Sequence, residues 1–174
     1  LLYPKAQVMM SLDGLDNYVR QVLESASGPE GLLLWQGGEP TMRGLKFYRT
    51  AVKLADKYRR PGQRVTHAIQ TNGTLLDDKW CAFFKEHDFL VGLSVDGPRE
   101  VHDAYRVNRS GRGTFDLVIR GWELLRKHEV DTNILATIHA ANQDHPLEVY
   151  RFLRADLGAE FIQSIPICWL VPQA

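Results

Sequence analysis

Helical apolar stripes alternate with short apolar runs five times along this chain, and glycine-bearing polar strings follow several of the runs directly. Leu15, Tyr18, Val19, Val22, Leu23 and Ala26 recur at helical spacing, and Gly28-Pro29 stops that helix. The run Leu32-Leu33-Leu34-Trp35 is continuous rather than alternating, which suits a strand buried on both faces; Gly37-Gly38 ends it. Tyr48, Ala51, Val52 and Ala55 form a second stripe, and a strand from Val65 to Thr71 closes in Asn72-Gly73. Leu76, Trp80, Phe83, Phe84 and His87 form a third, followed by a strand from Phe89 to Val95 that leads into Asp96-Gly97-Pro98. Phe115, Val118, Ile119, Trp122 and Leu125 precede a strand from Thr132 to Ile138. Pro146 opens a last helix with Leu147, Tyr150, Leu153 and Leu157, Gly158 stops it, and Phe161 to Ile167 is the final strand. Five βα alternations imply a parallel sheet, either doubly wound and open or part of a barrel.

In parallel α/β folds ligands bind at the carboxyl edge of the strands. That is where Gln36-Gly37-Gly38-Glu39-Pro40, Gln70-Thr71-Asn72-Gly73 and Ser94-Val95-Asp96-Gly97-Pro98 fall. The long connection from Gly97 to Thr114 adds His102, Asp103, Tyr105, Arg106 and Arg109 on the same side, and loops of that length are usually functional or mobile.

With 174 residues, 44% of them hydrophobic, the chain can bury one sizeable core, and a single domain over 1–174 is expected. Lys+Arg and Asp+Glu both number 21, so no net field draws it to nucleic acid or an anionic membrane. No segment approaches the roughly 20 apolar residues of a membrane span, and no secretory signal opens the chain. Cys81 and Cys168 are too far apart for a C-x-x-C clip and too few for a disulfide framework, which fits a reducing cytoplasm. His67, His87, His102, His128, His139 and His145 are dispersed, without metal-ligand spacing. The chain begins at Leu1 without methionine and stops at Ala174 just past an apolar run, as an interior slice of a longer protein is expected to do.

The string Gln36 to Pro40 places two glycines where backbone can approach a ligand, then a carboxylate able to accept from a ligand ammonium. It is equally a strand-to-loop turn with a solvated Glu39, and it has no phosphate-loop pattern. Ser94, Asp96 and Arg106 offer a hydroxyl, a carboxylate and a bidentate cation to a pocket; together with Glu39 they suit an amino-acid-like ligand. Serine and aspartate before Gly-Pro are also ordinary turn formers, and Asn72-Gly73 reads first as a turn. Trp35, Trp80, Trp122 and Trp169 sit on apolar runs and read as core; both cysteines read as structural thiols, with Cys168 the nearer to a pocket.

Taken jointly, Trp35-Gln36-Gly37-Gly38-Glu39-Pro40-Thr41, Gln70-Thr71-Asn72-Gly73-Thr74-Leu75 and Val91-Gly92-Leu93-Ser94-Val95-Asp96-Gly97-Pro98, with His102-Asp103 and Arg106, resemble the anaerobic sulfatase-maturating enzymes, a radical S-adenosylmethionine (SAM) family. The resemblance runs from about Leu15 to Ile167. It implies a partial (β/α)6 barrel with SAM across the carboxyl edge, its amino and carboxylate groups chelating one iron of a 4Fe-4S cluster held by a C-x-x-x-C-x-x-C loop. It further implies reductive cleavage of SAM to a radical that oxidises a cysteine or serine of a sulfatase polypeptide to Cα-formylglycine, with electrons from a donor such as flavodoxin or ferredoxin. Carried over by position, Gly37, Gly38 and Glu39 face the SAM amino group, Ser94 and Arg106 its carboxylate, and Cys168 its adenosine; Gln36 and Asn72 lie near the substrate peptide.

The departures are equally specific. With two cysteines the chain carries no cluster-binding triplet, so no metal ligands and no catalytic residue are assigned here. The cluster loop is expected upstream of Leu1, and the catalytic aspartate with the auxiliary-cluster domain beyond Ala174, leaving 1–174 as a partial radical SAM core that is inactive by itself. Without a preceding strand, Leu32 to Trp35 is expected to be an exposed edge prone to self-association. Two other readings stay open: a radical SAM maturase of another peptide, and a noncatalytic α/β module binding an amino-acid-like ligand.

Overall fold

A computed structural model describes residues 9–167. The Ser11 hydroxyl accepts the Gly14 N–H at 3.0 Å and so opens α1 (Leu12–Ser25). The strands and the other α-helices are β1 (Glu30–Trp35), α2 (Leu45–Tyr58), β2 (Arg64–Thr71), α3 (Asp78–Glu86), β3 (Phe89–Ser94), α4 (Arg99–Asp103), α5 (Phe115–Lys127), β4 (Thr132–Ile138), α6 (Pro146–Arg151) and β5 (Ile162–Pro166); a 3-10 turn (Pro40–Arg43) follows β1 and a π-helical turn (Phe152–Asp156) follows α6.

The strands form one parallel sheet in the order β1-β2-β3-β4-β5. That order settles what periodicity left open. A doubly wound sheet reverses its strand order at a switch point, whereas a singly wound one runs in sequence and keeps its helices on one face. The five strands form a curled half-barrel of the partial-barrel type expected.

Burial follows from this winding. In β1 it alternates: Leu33 and Trp35 are buried, but Leu32 and Leu34 are 55% and 47% exposed. The expectation of a strand buried on both faces is therefore corrected. Among the described residues helices cover one face, so a continuous apolar run divides between the core and the open inner wall. Register places Thr66, Ala68 and Gln70, then Leu90, Gly92 and Ser94, then Asn133, Leu135 and Thr137 on that wall beside Leu32 and Leu34.

The covered face is a continuous core. Leu33, Ile69, Phe89, Val91, Leu93 and Ile134 from the strands meet Leu15, Val19, Leu23, Tyr48, Phe83, Phe84 and Leu125 from the helices. Each such side chain contributes about 1.5–3 kcal/mol on full burial. Trp35 packs edge-on against Tyr48 at 5.6 Å between ring centres, and His67 stacks on Phe89 at 4.6 Å. Trp35, Trp80 and Trp122 are buried, as is Cys81, whose thiol burial pushes up to about 12; these are the structural roles expected. Trp169 and Cys168 lie outside the described residues.

Two details position the carboxyl edge. Gly121 brings α5 against the turn after β2, where an added Cβ would meet the Gly73 carbonyl oxygen at 2.7 Å. The connection from Gly97 to Thr114, expected as an irregular loop, contains α4 and an antiparallel bridge between Val107 and Gly113. Thr114 Oγ1 donates to the Arg106 carbonyl at 2.8 Å, and the Phe115 N–H donates to Asp103 at 2.9 Å, tying this segment to the start of α5.

Candidate functional site at the carboxyl edge

Three side-chain bridges link the tops of the first four strands. The first is Glu39, directly after β1. Its Oε1 accepts from the Thr41 N–H at 3.0 Å, the Thr41 hydroxyl at 2.5 Å and the Thr71 hydroxyl at 2.7 Å, while Oε2 accepts from the Asn72 N–H at 2.8 Å. The carboxylate thus joins the loop after β1 to the end of β2. Tyr48 braces the same loop from α2, donating to the Pro40 carbonyl at 2.9 Å; burial, then the Glu39 charge, raises its phenol pKa.

The second bridge joins β2 to β3. Gln70 Nε2 donates to Ser94 Oγ at 3.1 Å across the inner wall. Its side chain lies over the α-carbon of Gly92, where an added Cβ would come within 2.0 Å of Gln70 Oε1.

The third bridge joins β3 to β4. Asp96, 1% exposed, accepts from Arg106 Nε at 2.5 Å, Arg106 Nη2 at 2.8 Å and the Thr137 N–H at 2.8 Å. Arg106 Nη2 also donates to Thr137 Oγ1 at 3.1 Å. Asn142 Nδ2 donates to the Asp96 and Thr137 carbonyls at 3.1 and 2.8 Å, closing the network from the loop after β4. A buried aspartate is tolerated here because a bidentate guanidinium and a backbone N–H compensate its desolvation. His139 Nδ1 accepts from the Ala141 N–H at 3.2 Å, which leaves Nε2 as the ring's donor, facing Asp96 Oδ2 at 3.5 Å. His102 is fully buried beneath the network, and burial, then Arg106, lowers its pKa to about 4.

The residues singled out from sequence fall along this edge in distinct roles. Gly37 and Gly38 have φ of 106° and 54°, a backbone region that favours glycine, and an added Cβ at either would meet nothing within 4 Å. Gln36 precedes them and is exposed. Ser94 lies on the inner wall with its Oγ accepting from Gln70. Arg106 is on the same edge two strands along from Glu39, committing Nε and Nη2 to Asp96 and Thr137 while Nη1 has no hydrogen-bond partner among the described residues. Asn72 Oδ1 accepts from the Thr74 N–H and hydroxyl at 3.0 and 2.8 Å, the turn role its Asn-Gly string suggested. Cys168 lies outside the described residues. Sequence reading carried Gln70, Thr71 and Gly92 inside its motif strings without giving them a role, and passed over Thr137; the available signal was that Gln70 and Gly92 occupy inward positions on adjacent strands.

Chemically, the edge offers an open, side-chain-free backbone at Gly37-Gly38, a hydroxyl at Ser94 and a guanidinium nitrogen at Arg106. That set suits a ligand bearing both an ammonium and a carboxylate, such as the methionine part of SAM. It does not suit an iron-sulfur cluster: the chain has two cysteines, and no group of three or more His, Cys, Asp or Glu among the described residues could hold a metal.

The sequence pattern of the family described as the radical SAM superfamily matches residues 3–153. The serine-type anaerobic sulfatase-maturating enzyme of Bacteroides thetaiotaomicron is 43% identical over 159 residues, covering 91% of this chain and 38% of the relative. The cysteine-type enzyme of Clostridium novyi is 35% identical over 158 residues, covering 91% of this chain and 42% of the relative. Among solved structures, native anSMEcpe with bound AdoMet and the Kp18Cys peptide aligns at a TM-score of 0.91 and 34% identity, covering 98% of this chain and 46% of that one. The chain thus spans less than half the length of these relatives. No described helix is long and apolar enough to cross a membrane.

Proposed function

The chain belongs to the radical SAM superfamily, and from that premise we propose that it is the SAM-cradling part of an anaerobic sulfatase-maturating enzyme, which oxidises a cysteine or serine of a sulfatase polypeptide to Cα-formylglycine. The observation that carries this reading is the carboxyl edge itself. Its glycine pair follows β1, and Ser94 and the Asp96–Arg106 pair stand at the end of β3, two strands along the same edge of a fold matched to a structure with bound AdoMet.

In this reading the Gly37-Gly38 backbone receives the SAM amino group, with Glu39 acting by holding that loop to Thr71 and Asn72. Ser94 Oγ and Arg106 Nη1 receive the carboxylate, and Asp96 fixes the guanidinium so that Nη1 faces the ligand. The segment around Cys168 borders the adenosine, and Gln36 and Asn72 border the substrate peptide. SAM supplies the hydrogen-abstracting group when bound; the carboxyl-edge residues position it. The cluster ligands and the proton acceptor are assigned to parts of the protein outside this chain. The enzyme works in the cytoplasm, with electrons from a donor such as flavodoxin or ferredoxin.

The test uses the full-length protein, reconstituted anaerobically and given SAM, a reductant and sulfatase-derived peptides carrying cysteine or serine at the modified position. An aldehyde detected by mass spectrometry and hydrazide capture is the expected result. SAM cleavage with neither peptide oxidised would assign the protein to the maturation of a different polypeptide.

A further inference from the structure

Ser94 is 8% exposed, and its hydroxyl has one proton to give and two lone pairs to receive. One lone pair takes the Gln70 Nε2–H at 3.1 Å. No acceptor for the Ser94 proton lies among the described residues, so that proton is available to a ligand. The amide that sets this direction is itself confined. Gln70 crosses the inner wall over Gly92, where a Cβ would lie 2.0 Å from Gln70 Oε1, 2.9 Å from Cδ and 3.3 Å from Asn133 Oδ1. Gly92 has no positive φ and sits mid-strand, where glycine weakens a strand; the space it leaves for the Gln70 amide accounts for it.

We infer that Gln70, seated over Gly92, is a positioning residue that presents the Ser94 hydroxyl as a donor to the carboxylate of the bound amino-acid moiety. This rests on the SAM reading above and adds a residue to it. Gln70 does not touch the carboxylate: by occupying the acceptor side of the hydroxyl, it directs the proton outward. An alanine at position 92 displaces the amide and releases the hydroxyl without touching either hydrogen-bonding residue. A glutamate at position 70 has the same shape but only accepts, so it draws the Ser94 proton to itself and away from the ligand.

The test measures equilibrium binding of SAM, and of decarboxylated SAM, to the full-length protein with its cluster reconstituted. Ser94→Ala and Gln70→Glu are each expected to weaken SAM about tenfold or more. Gln70→Ala and Gly92→Ala should weaken it several-fold. In the Ser94→Ala background, Gln70→Ala should add nothing further. None of the four substitutions should alter the affinity for decarboxylated SAM beyond about twofold. Equal losses for both ligands, or additive losses at positions 70 and 94, mark a merely structural role and overturn the inference. Unchanged SAM affinity in Ser94→Ala, with wild type binding normally, overturns it as well and leaves the SAM reading standing. Absence of SAM binding by the wild type overturns that reading itself.

Discussion

Glu39 Oε2 accepts the backbone N–H of Asn72 at 2.8 Å, so a carboxylate that from sequence suits a ligand ammonium is already committed to holding two strand ends together. With three further donors on Oε1, its acceptor sites are nearly filled. Oε2, with that one donor, keeps a further acceptor site.

Glu39→Gln is accordingly expected to act on the fold. Whichever way the amide turns, an NH2 faces N–H or O–H donors. Hydrogen bonds to a charged group contribute about 1.5–3 kcal/mol, and a loss of about 2 kcal/mol in urea unfolding is expected. Wild-type stability with weakened SAM binding would return the carboxylate to the ligand.

Arg106→Ala removes the bidentate partner of an aspartate whose side chain is 2% exposed. Breaking a buried pair from one side costs about 3 kcal/mol, and SAM affinity should fall with it. Arg106→Lys should recover only part of either, because an ammonium cannot reproduce the planar fork on Asp96 and still reach Thr137. Full recovery by lysine would contradict the bidentate geometry.

Two histidines make stability depend on acid. Burial lowers both His67 and His102 from 6.5 to about 4. The unfolded chain takes up these protons first, so their contribution is complete above about pH 6.5 and is lost as pH falls toward 4. His67→Phe keeps the ring stack between Trp35 and Phe89 but removes the acceptor of the buried Trp35 indole N–H at 3.3 Å, a cost that does not vary with pH. It should reduce the stability lost between about pH 6.5 and 4.5 by about 2 kcal/mol, read from urea midpoints at each pH. An unchanged pH slope would show that His67 takes up its proton equally in the folded and unfolded chain, against the lowering that its burial implies.

Gly121→Ala should destabilise by about 1–3 kcal/mol despite the better helix propensity of alanine, because its methyl meets the Gly73 carbonyl at 2.7 Å. A stabilised variant would mean that α5 does not press on that turn.

Much of this architecture was legible from residues alone. Period and punctuation located all five strands and the helices α1, α2, α3, α5 and α6 but not the short α4, and Gly37-Gly38 and Asn72-Gly73 marked the turns because tight backbone demands such residues. Helix ends were less legible. After α6 the chain widens into a π-helical turn, Phe152–Asp156, with the Leu157 N–H donating to the Phe152 carbonyl at 3.0 Å, which no residue pattern announces. Leu32 and Leu34 misled because hydrophobicity does not say whether the second face of a sheet is covered. The partners within the site were hidden by distance along the chain. Glu39 meets residues 32 and 33 positions away, and Arg106 Nη2 meets Thr137 from 31 positions away. Only the winding of the sheet brings those residues to one edge.

A crystal structure of the reconstituted full-length protein with SAM shows whether this edge holds SAM by its amino-acid end. The SAM carboxylate is expected within hydrogen-bonding distance of Ser94 Oγ and Arg106 Nη1, and the amino group against the Gly37-Gly38 backbone. SAM bound at the opposite ends of the strands, or with its carboxylate out of reach of both side chains, would contradict it.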